Sequence, residues 1–365
     1  MKDKMTRRRG DTVTRRRCSI SVSHRVAPFI PHSSSLIPIN VALLGFGNVG
    51  RALARYIQRT NAETNIRIRA IADSSGGVLL DDEGEIEQLI AQKESGRSIS
   101  EIFSGKALSD ASDFINSLSS VGITVLVESL PTNINNGQPA LDLLTKSLRQ
   151  AIHVVTVDKG PLAHGFSELN EAAKSSGARI GFSGTTGVSI PDEIAGERVL
   201  EIRGVLNGTT NYILTEMQQR GISFDEAMAR AQEDGIAEPD PRLDVEGWDT
   251  AVKVLILAKA LMGAECKLSE VSRTGIGPET DSLIKVARES NRIVRLVGRA
   301  RRWQGRIRVS VAPKIVDCDS PFYSVAGMSK AAVFRTEAGE RIVHARSGRD
   351  AISQTVVDDI LKASR

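Results

Sequence analysis

"LIPINVALLGFGNVGRALARYIQ", Leu36 to Gln58, decides how the first half of this chain folds. Ile39, Val41, Leu43 and Leu44 read as a short buried strand, Gly45, Gly47 and Gly50 follow at once, and Val49, Leu53, Tyr56 and Ile57 recur at helical spacing. A strand, a glycine turn and a helix in that order make a dinucleotide-binding fingerprint out of a glycine pattern that would be weak alone. The first glycine permits the tight turn, the second lets backbone approach a pyrophosphate, and the third lets helix pack on strand, with the helix N-terminus facing the phosphates. Gly45, Phe46, Gly47, Asn48, Val49 and Gly50 are therefore candidate cofactor contacts.

The next strand, "IRIRAIAD" (Ile66 to Asp73), ends on Asp73, at the distance expected for an acid that binds a ribose 2′-hydroxyl. Taken alone it favours NAD. Arg67 and Arg69 lie within the strand and "SSGG" after it carries no cation, so no 2′-phosphate clamp is visible, although NADP stays open. Residues 74–120 are more polar and read as a surface insertion with one helix. Strand and helix then alternate through "VGITVLVES", "GQPALDLLTKSLRQA", "IHVVTVD", "GFSELNEAAKSSG" and "ARIGFSG", which predicts a parallel sheet with helices on both faces. "VESLPTN" (Val127–Asn133) and "VVTVDKGPLA" (Val154–Ala163) leave strands at their C-terminal ends, where ligands sit in such sheets. Ser129 and Lys159 are thereby placed at the crevice.

After Gly184 the pattern changes. Residues 185–265 read as mostly helical, with Ser223 capping "FDEAMARAQED" and Gly235 closing it. β-like runs fill 290–345, and a last helix spans Ile352 to Lys362. The fold class predicted is α/β: a Rossmann-type dinucleotide-binding domain over 38–184, an α+β catalytic and dimerisation domain over 185–340, and a segment over 341–365 returning to the nucleotide-binding domain. The stretch "AEPDPRLDVEGWDTAVK" (Ala237–Lys253) crowds Glu238, Asp240, Asp244, Glu246 and Asp249 ahead of Lys253. Asp249 and Lys253 are four apart on one side of a helix whose apolar face is Val252, Leu255, Ile256 and Ala260.

The net charge of +4 is uneven: residues 1–37 hold nine Lys/Arg against Asp3 and Asp11, leaving about −3 for the remainder. That Arg-, Ser- and Thr-rich extension has no apolar stretch and no interleaved aromatics, so it reads as a transit peptide or a solvated tail rather than a nucleic-acid arm. A plastid or another organelle follows from the first reading, the cytoplasm from the second. No apolar run approaches the roughly 18–20 residues needed to span a bilayer, so neither membrane nor nucleic acid is an expected partner. Cys18, Cys266 and Cys318 are odd in number and widely spaced, giving neither a disulfide framework nor a metal-binding spacing.

"GFGNVG", "PTN", "VVTVDKGPLA", "VLNGTTNYIL" (Val205–Leu214) and "DGIAEPDPRLDVEGWDTAVKVLIL" (Asp234–Leu257), in this order and spacing, resemble the homoserine dehydrogenases over residues 38–365. The resemblance implies NADP- or NAD-dependent, reversible reduction of L-aspartate 4-semialdehyde to L-homoserine, in a homodimer. By the same resemblance Lys253 matches the proton donor and Lys159 the lysine beside nicotinamide and substrate. Glu238, Asp244 and Asp249 match acids of the substrate site. Asn207, Gly208 and Thr209 line the pocket, and Gly235 and Gly348 match cofactor-contacting glycines. A monovalent cation, Na or K, is implied on the carbonyls of Thr186, Val188 and Ile190.

Departures accompany the match. Ser183 stands where the family carries a glutamate ligand to that cation, Leu243 where it often has another acid, and "SGRDAISQT" keeps only Gly348 and Thr355 of a glycine-rich turn. No feedback-regulatory domain is expected after Arg365. A related oxidoreductase on another amino-acid semialdehyde, and a cofactor-binding paralogue with weak catalysis, are the readings that compete. The lysine pair argues against the second, because a binder needs no proton donor.

Overall fold

Two six-stranded sheets organise the chain in a computed structural model that describes residues 37–365 apart from 82, 83, 105–107 and 109. The first sheet contains β1 (Ile39–Leu44), β2 (Ile66–Asp73), β3 (Gly76–Leu79), β4 (Val125–Glu128), β5 (His153–Thr156) and β6 (Ile180–Gly181), in the order β3-β2-β1-β4-β5-β6. Its helices are α1 (Asn48–Thr64), α2 (Glu85–Glu94), α3 (Ile99–Ile102), α4 (Ala111–Ser117), α5 (Ala140–Arg149), α6 (Lys159–Ser176) and α7 (Ser183–Thr186). β1 pairs in parallel with both β2 and β4, so the chain winds outward in two directions and leaves a crevice at the C-terminal ends of β1 and β4. Val41 and Leu43 enter one core cluster and Ala42 and Leu44 another, which is why this strand is apolar on both faces.

The insertion after Asp73 is richer than its polarity suggested. It returns as β3, antiparallel to β2, and continues into α2, α3 and α4. A capping box at Ser98 and a side-chain cap at Asp110 start two of these helices.

The second sheet contains β7 (Val199–Val205), β8 (Ser272–Arg273), β9 (Ile293–Trp303), β10 (Arg306–Val316), β11 (Ser329–Thr336) and β12 (Glu340–Arg346), ordered β12-β11-β7-β9-β10-β8 and mostly antiparallel. It carries α8 (Gly208–Arg220), α9 (Phe224–Glu233), α10 (Arg242–Val245), α11 (Trp248–Met262) and α12 (Thr280–Glu289). β7 falls in a stretch expected to be helical, and it sits at the centre of this sheet. Ser223 caps α9 with a full capping box, and Gly235, at φ +67°, follows its end.

α11 holds the two layers together. Val252 and Ile256 belong to the core under the first sheet, whereas Ala251, Val254, Leu255, Leu257 and Ala258 belong to the core of the second. A helix packed on both sides must be apolar nearly all round, so its burial exceeds the single face read from spacing. The last helix, α13 (Arg349–Ala363), packs against α1, β5 and β6, with Val356, Val357 and Ile360 in the cluster that contains Val41. No described helix is long and apolar enough to cross a membrane. The basic extension lies outside the described residues, as far as residue 36.

Candidate active site

The glycine turn has the geometry a pyrophosphate needs. A Cβ on Gly50 would stand 2.1 Å from the Gly45 carbonyl oxygen, and one on Gly45, whose φ is +104°, would stand 2.6 Å from the carbonyl oxygen of Ser129. By contrast nothing lies within 4 Å of a Cβ on Gly47, which opens to the crevice. No side chain caps the amides at the start of α1, so these N–H groups are available to a phosphate. The residues present fit a dinucleotide. Phe46 is 1% exposed and belongs to the core, so only its backbone faces the turn. Its carbonyl accepts from Arg51, which also donates to Asn48 Oδ1, and Val49 is exposed. The Ser129 hydroxyl donates to the Gly45 carbonyl (2.9 Å), bracing the turn from β4.

Asp73 closes β2 as expected, and it is not alone. Its Oδ1 accepts from the Ser75 amide and hydroxyl, while Lys93 of α2 reaches its Oδ2 at 2.5 Å. Burial would raise the Asp73 pKa, but Lys93 and the Ser75 bonds outweigh it and hold the carboxyl below its usual value. No local spacing signals this cation, because it comes from twenty residues downstream, in the insertion.

Glu128 is a second feature missed. It ends β4 fully buried, accepting from the Leu130 amide (2.6 Å) and bonded to the Thr156 hydroxyl (2.5 Å). That hydroxyl accepts from the Asp158 amide, and the Asp158 carboxylate caps α6 by accepting from the Gly160 amide. One carboxyl thus ties the loop carrying Ser129 to the helix start carrying Lys159. Burial, then the neighbouring Asp158 charge, push it up to about 8. Its folded pKa lies above its unfolded value, so folding disfavours the ionised form, and stability declines as pH rises from the usual carboxylate range to about 8. Glu128→Gln cannot ionise and is expected to lose this slope, melting at or above the parent temperature at pH above 8 and near it at acid pH. Denaturation midpoints at two pH values check this; a slope unchanged in the Gln variant would refute it.

The acid-rich stretch folds into a compact charged centre. Gly247, at φ +81°, turns the chain into α11. One turn of that helix sets Asp249 and Lys253 together, with Lys253 Nζ 2.6 Å from Asp249 Oδ2 and 3.0 Å from the Leu206 carbonyl oxygen. Lys159, arriving from the first sheet, lies 3.6 Å from Asp249 Oδ1. Asn207 is the hub: its Nδ2 donates to Asp244 (2.6 Å) and Asp249 (2.9 Å), while its Oδ1 caps α8 by accepting from the Thr210 amide. Burial would raise the Asp249 pKa, yet Lys253 and then Lys159 hold it well below the usual carboxylate range. Asp244 is shifted up by burial and by the Asp249 charge.

The remaining candidate residues divide. Thr209 donates to the Ile236 carbonyl. A Cβ on Gly208 would meet the Ser347 hydroxyl at 2.4 Å, which brings the turn at Gly348, φ +136°, against the start of α8. Gly235 is exposed beyond α9, and Glu238 is exposed with no partner for its carboxylate among the described residues. The structure therefore assembles Asn207, Asp244, Asp249, Lys253 and Lys159 and leaves Glu238 exposed, outside this hydrogen-bonded cluster.

The turn at Thr186, Val188 and Ile190 does not fit a monovalent cation. Ser183 supplies no charge, and its amide and hydroxyl both donate to Asp359 of α13. The Thr186 hydroxyl already donates to the Val188 carbonyl (3.0 Å). The ammonium of Lys330 stands 2.7 Å from where a Cβ on Gly187 would be. A positive charge there opposes a second cation, and no chemistry is derived through one.

Comparison with known proteins agrees with this geometry. Residues 45–183 match the family model described as the NAD binding domain of homoserine dehydrogenase, and residues 189–361 match the homoserine dehydrogenase model. The chain is 32% identical over 339 residues to the homoserine dehydrogenase of Methanocaldococcus jannaschii, covering 88% of this chain and 98% of that one. It is 31% identical over 310 residues to the NAD(+)-dependent homoserine dehydrogenase of Pseudomonas canavaninivorans, covering 81% and 87%. The solved structure of a hyperthermophilic archaeal homoserine dehydrogenase in complex with NADPH superposes with a TM-score of 0.70 at 30% identity, covering 90% and 98%. With a Rossmann-type sheet, a glycine cradle and a two-lysine centre where the layers meet, the chain belongs to the homoserine dehydrogenase family, NAD(P)-dependent oxidoreductases.

Proposed function

We propose that this chain interconverts L-aspartate 4-semialdehyde and L-homoserine, with Lys253 as the proton donor and Lys159 beside the reacting carbon. The observation that carries this reading is the placement of both lysines on one carboxylate, Asp249, at the junction of the two sheets. A dinucleotide held on the glycine turn at Gly45, Gly47 and Gly50 would supply or take the hydride. Everything else is asked of the protein. Hydride addition to an aldehyde makes an alkoxide, which needs a cation with a proton to give, held in place and shielded from water. Lys253 is 8% exposed and fixed by two acceptors, the Leu206 carbonyl and Asp249. Asp244, Asp249 and the exposed Glu238 are available to the substrate ammonium, and Gly235 and Gly348 to the cofactor. We read residues 38–184, 185–340 and 341–365 as nucleotide-binding, catalytic and returning segments, and a homodimer as the working form.

The test is appearance of reduced cofactor when the purified chain is given homoserine with NAD or with NADP. Turnover with neither would refute the reading. The same assay addresses cofactor choice. A 2′-phosphate at Asp73 would meet a carboxylate whose charge Lys93 offsets. Lys93→Ala is therefore expected to raise KM for NADP roughly ten- to a hundredfold, the loss typical of a charged hydrogen bond, with a smaller change for NAD. Equal changes for both cofactors would remove Lys93 from selectivity. Light scattering checks the dimer, and a fluorescent fusion of residues 1–37 separates organelle delivery from a cytoplasmic site.

A further inference from the structure

Lys330 is a third lysine at this centre, and among the described residues its charge has no partner. It lies second in β11, and its register follows from the pairing of Ala331 with Val205, which puts Lys330 across from Leu206. The carbonyl of Leu206 is the one that accepts from Lys253. Side chains alternate along a strand: Ala332 and Phe334 enter the core beneath α11, while Ala331 and Val333 enter the cluster on the other face. Lys330 therefore projects with Ala332 and Phe334, toward the helices and the Gly187 turn, where its ammonium packs. The residue is only 8% exposed, and among the described residues it forms no hydrogen bond or ion pair. It faces the charges of Lys253, Asp249, Lys159 and Asp244.

Asp249 accepts from Lys253 and Asn207 and lies 3.6 Å from Lys159, and Asp244 accepts from Asn207. Three lysines thus share two carboxylates, and the one without a carboxylate is as buried as Lys253; that burial, then the Lys253 charge, pushes its ammonium down to about 7, and a carboxylate beside it would restore the charged form. Burying an unpaired charge is costly, so an anion brought by a ligand gains there. The substrate read above carries one carboxylate, and among the described residues of the centre Lys330 is the lysine that has no carboxylate on it.

We propose that Lys330 recognises the carboxylate of the amino-acid substrate. The proposal rests on the homoserine reading and is separable from it by experiment. Lys330→Met keeps length and removes charge. Because it deletes an unpaired buried charge, this variant is expected to keep or raise the melting temperature and to keep the parent's affinity for the dinucleotide. Its kcat/KM for homoserine should fall roughly a hundredfold, mostly through KM, in line with a lost charged hydrogen bond in a buried site. With 3-aminopropan-1-ol, which is homoserine without its carboxylate, the parent should be slow and the Met variant no slower. Lys330→Arg should recover part of the homoserine activity.

Binding is read apart from turnover by calorimetry with L-2-aminobutyrate, which keeps the carboxylate and ammonium and has no hydroxyl to oxidise. The parent should bind it with the cofactor present, and the Met variant should lose that binding. Parent binding without turnover of homoserine would sink the dehydrogenase reading and leave the carboxylate site standing. Equal losses on homoserine and 3-aminopropan-1-ol would overturn the proposal, as would loss of dinucleotide affinity in place of substrate affinity.

Discussion

Lys253→Met is expected to lower kcat for homoserine oxidation by roughly a thousandfold, within the range for loss of a positioned general acid or base, while dinucleotide affinity is kept. The Lys253 ammonium is held by the Leu206 carbonyl and Asp249 and contacts neither the glycine turn nor Asp73, so the loss belongs to the chemical step. Lys253→Arg separates charge from proton transfer. Arginine keeps a cation in hydrogen-bonding range of both acceptors, but it does not give up its proton near neutral pH. If Lys253 transfers the proton, Arg should be nearly as slow as Met. If it only stabilises the alkoxide, Arg should keep much of the rate, and the proton-donor assignment fails.

The second large effect is structural as well as chemical. Asp249→Asn removes the counter-charge of Lys253 and Lys159 and leaves Lys253 buried without it. Breaking one partner of a buried pair costs about 3–5 kcal/mol, which for a chain of this size lowers the melting temperature by about 10 °C. The Asp249 carboxyl is held well below its unfolded value by the two lysines, after they overcome its burial. Its contribution is therefore present above the unfolded carboxylate range and is lost as pH falls through that range toward the folded value. The parent should lose stability below about pH 4, the ordinary aspartate range, and the Asn variant should show less of that loss from a lower starting point. Replacing both partners, Asp249→Leu with Lys253→Met, should recover much of the stability and none of the activity. A double variant no more stable than Asp249→Asn would show that the pair is not the cause.

The nucleotide-binding turn was legible because everything it needs is local. Gly45 must adopt a positive φ and Gly50 must admit the Gly45 carbonyl, and both demands fall on neighbours in sequence. The Asp249–Lys253 pair was legible for the same reason, since one helical turn fixes it. β7 was not. "VLEIRGV" interrupts its apolar residues with Glu201 and Arg203, whose partners Arg299 and Glu340 come from β9 and β12. A central strand with charged neighbours on one face carries no strong period of its own.

Sequence alone determined the class of the fold, the order of its blocks and the two lysines, because these follow from short-range spacing and residue chemistry. Tertiary structure decided the rest. It put Lys93 on Asp73, made buried Glu128 the tie between two loops, gave Lys253 the Leu206 carbonyl, left Glu238 exposed and turned Lys330 toward the charged centre. Each of these joins residues far apart in the chain, and burial or an unpaired charge depends on every element packed around a group, which no window of sequence contains.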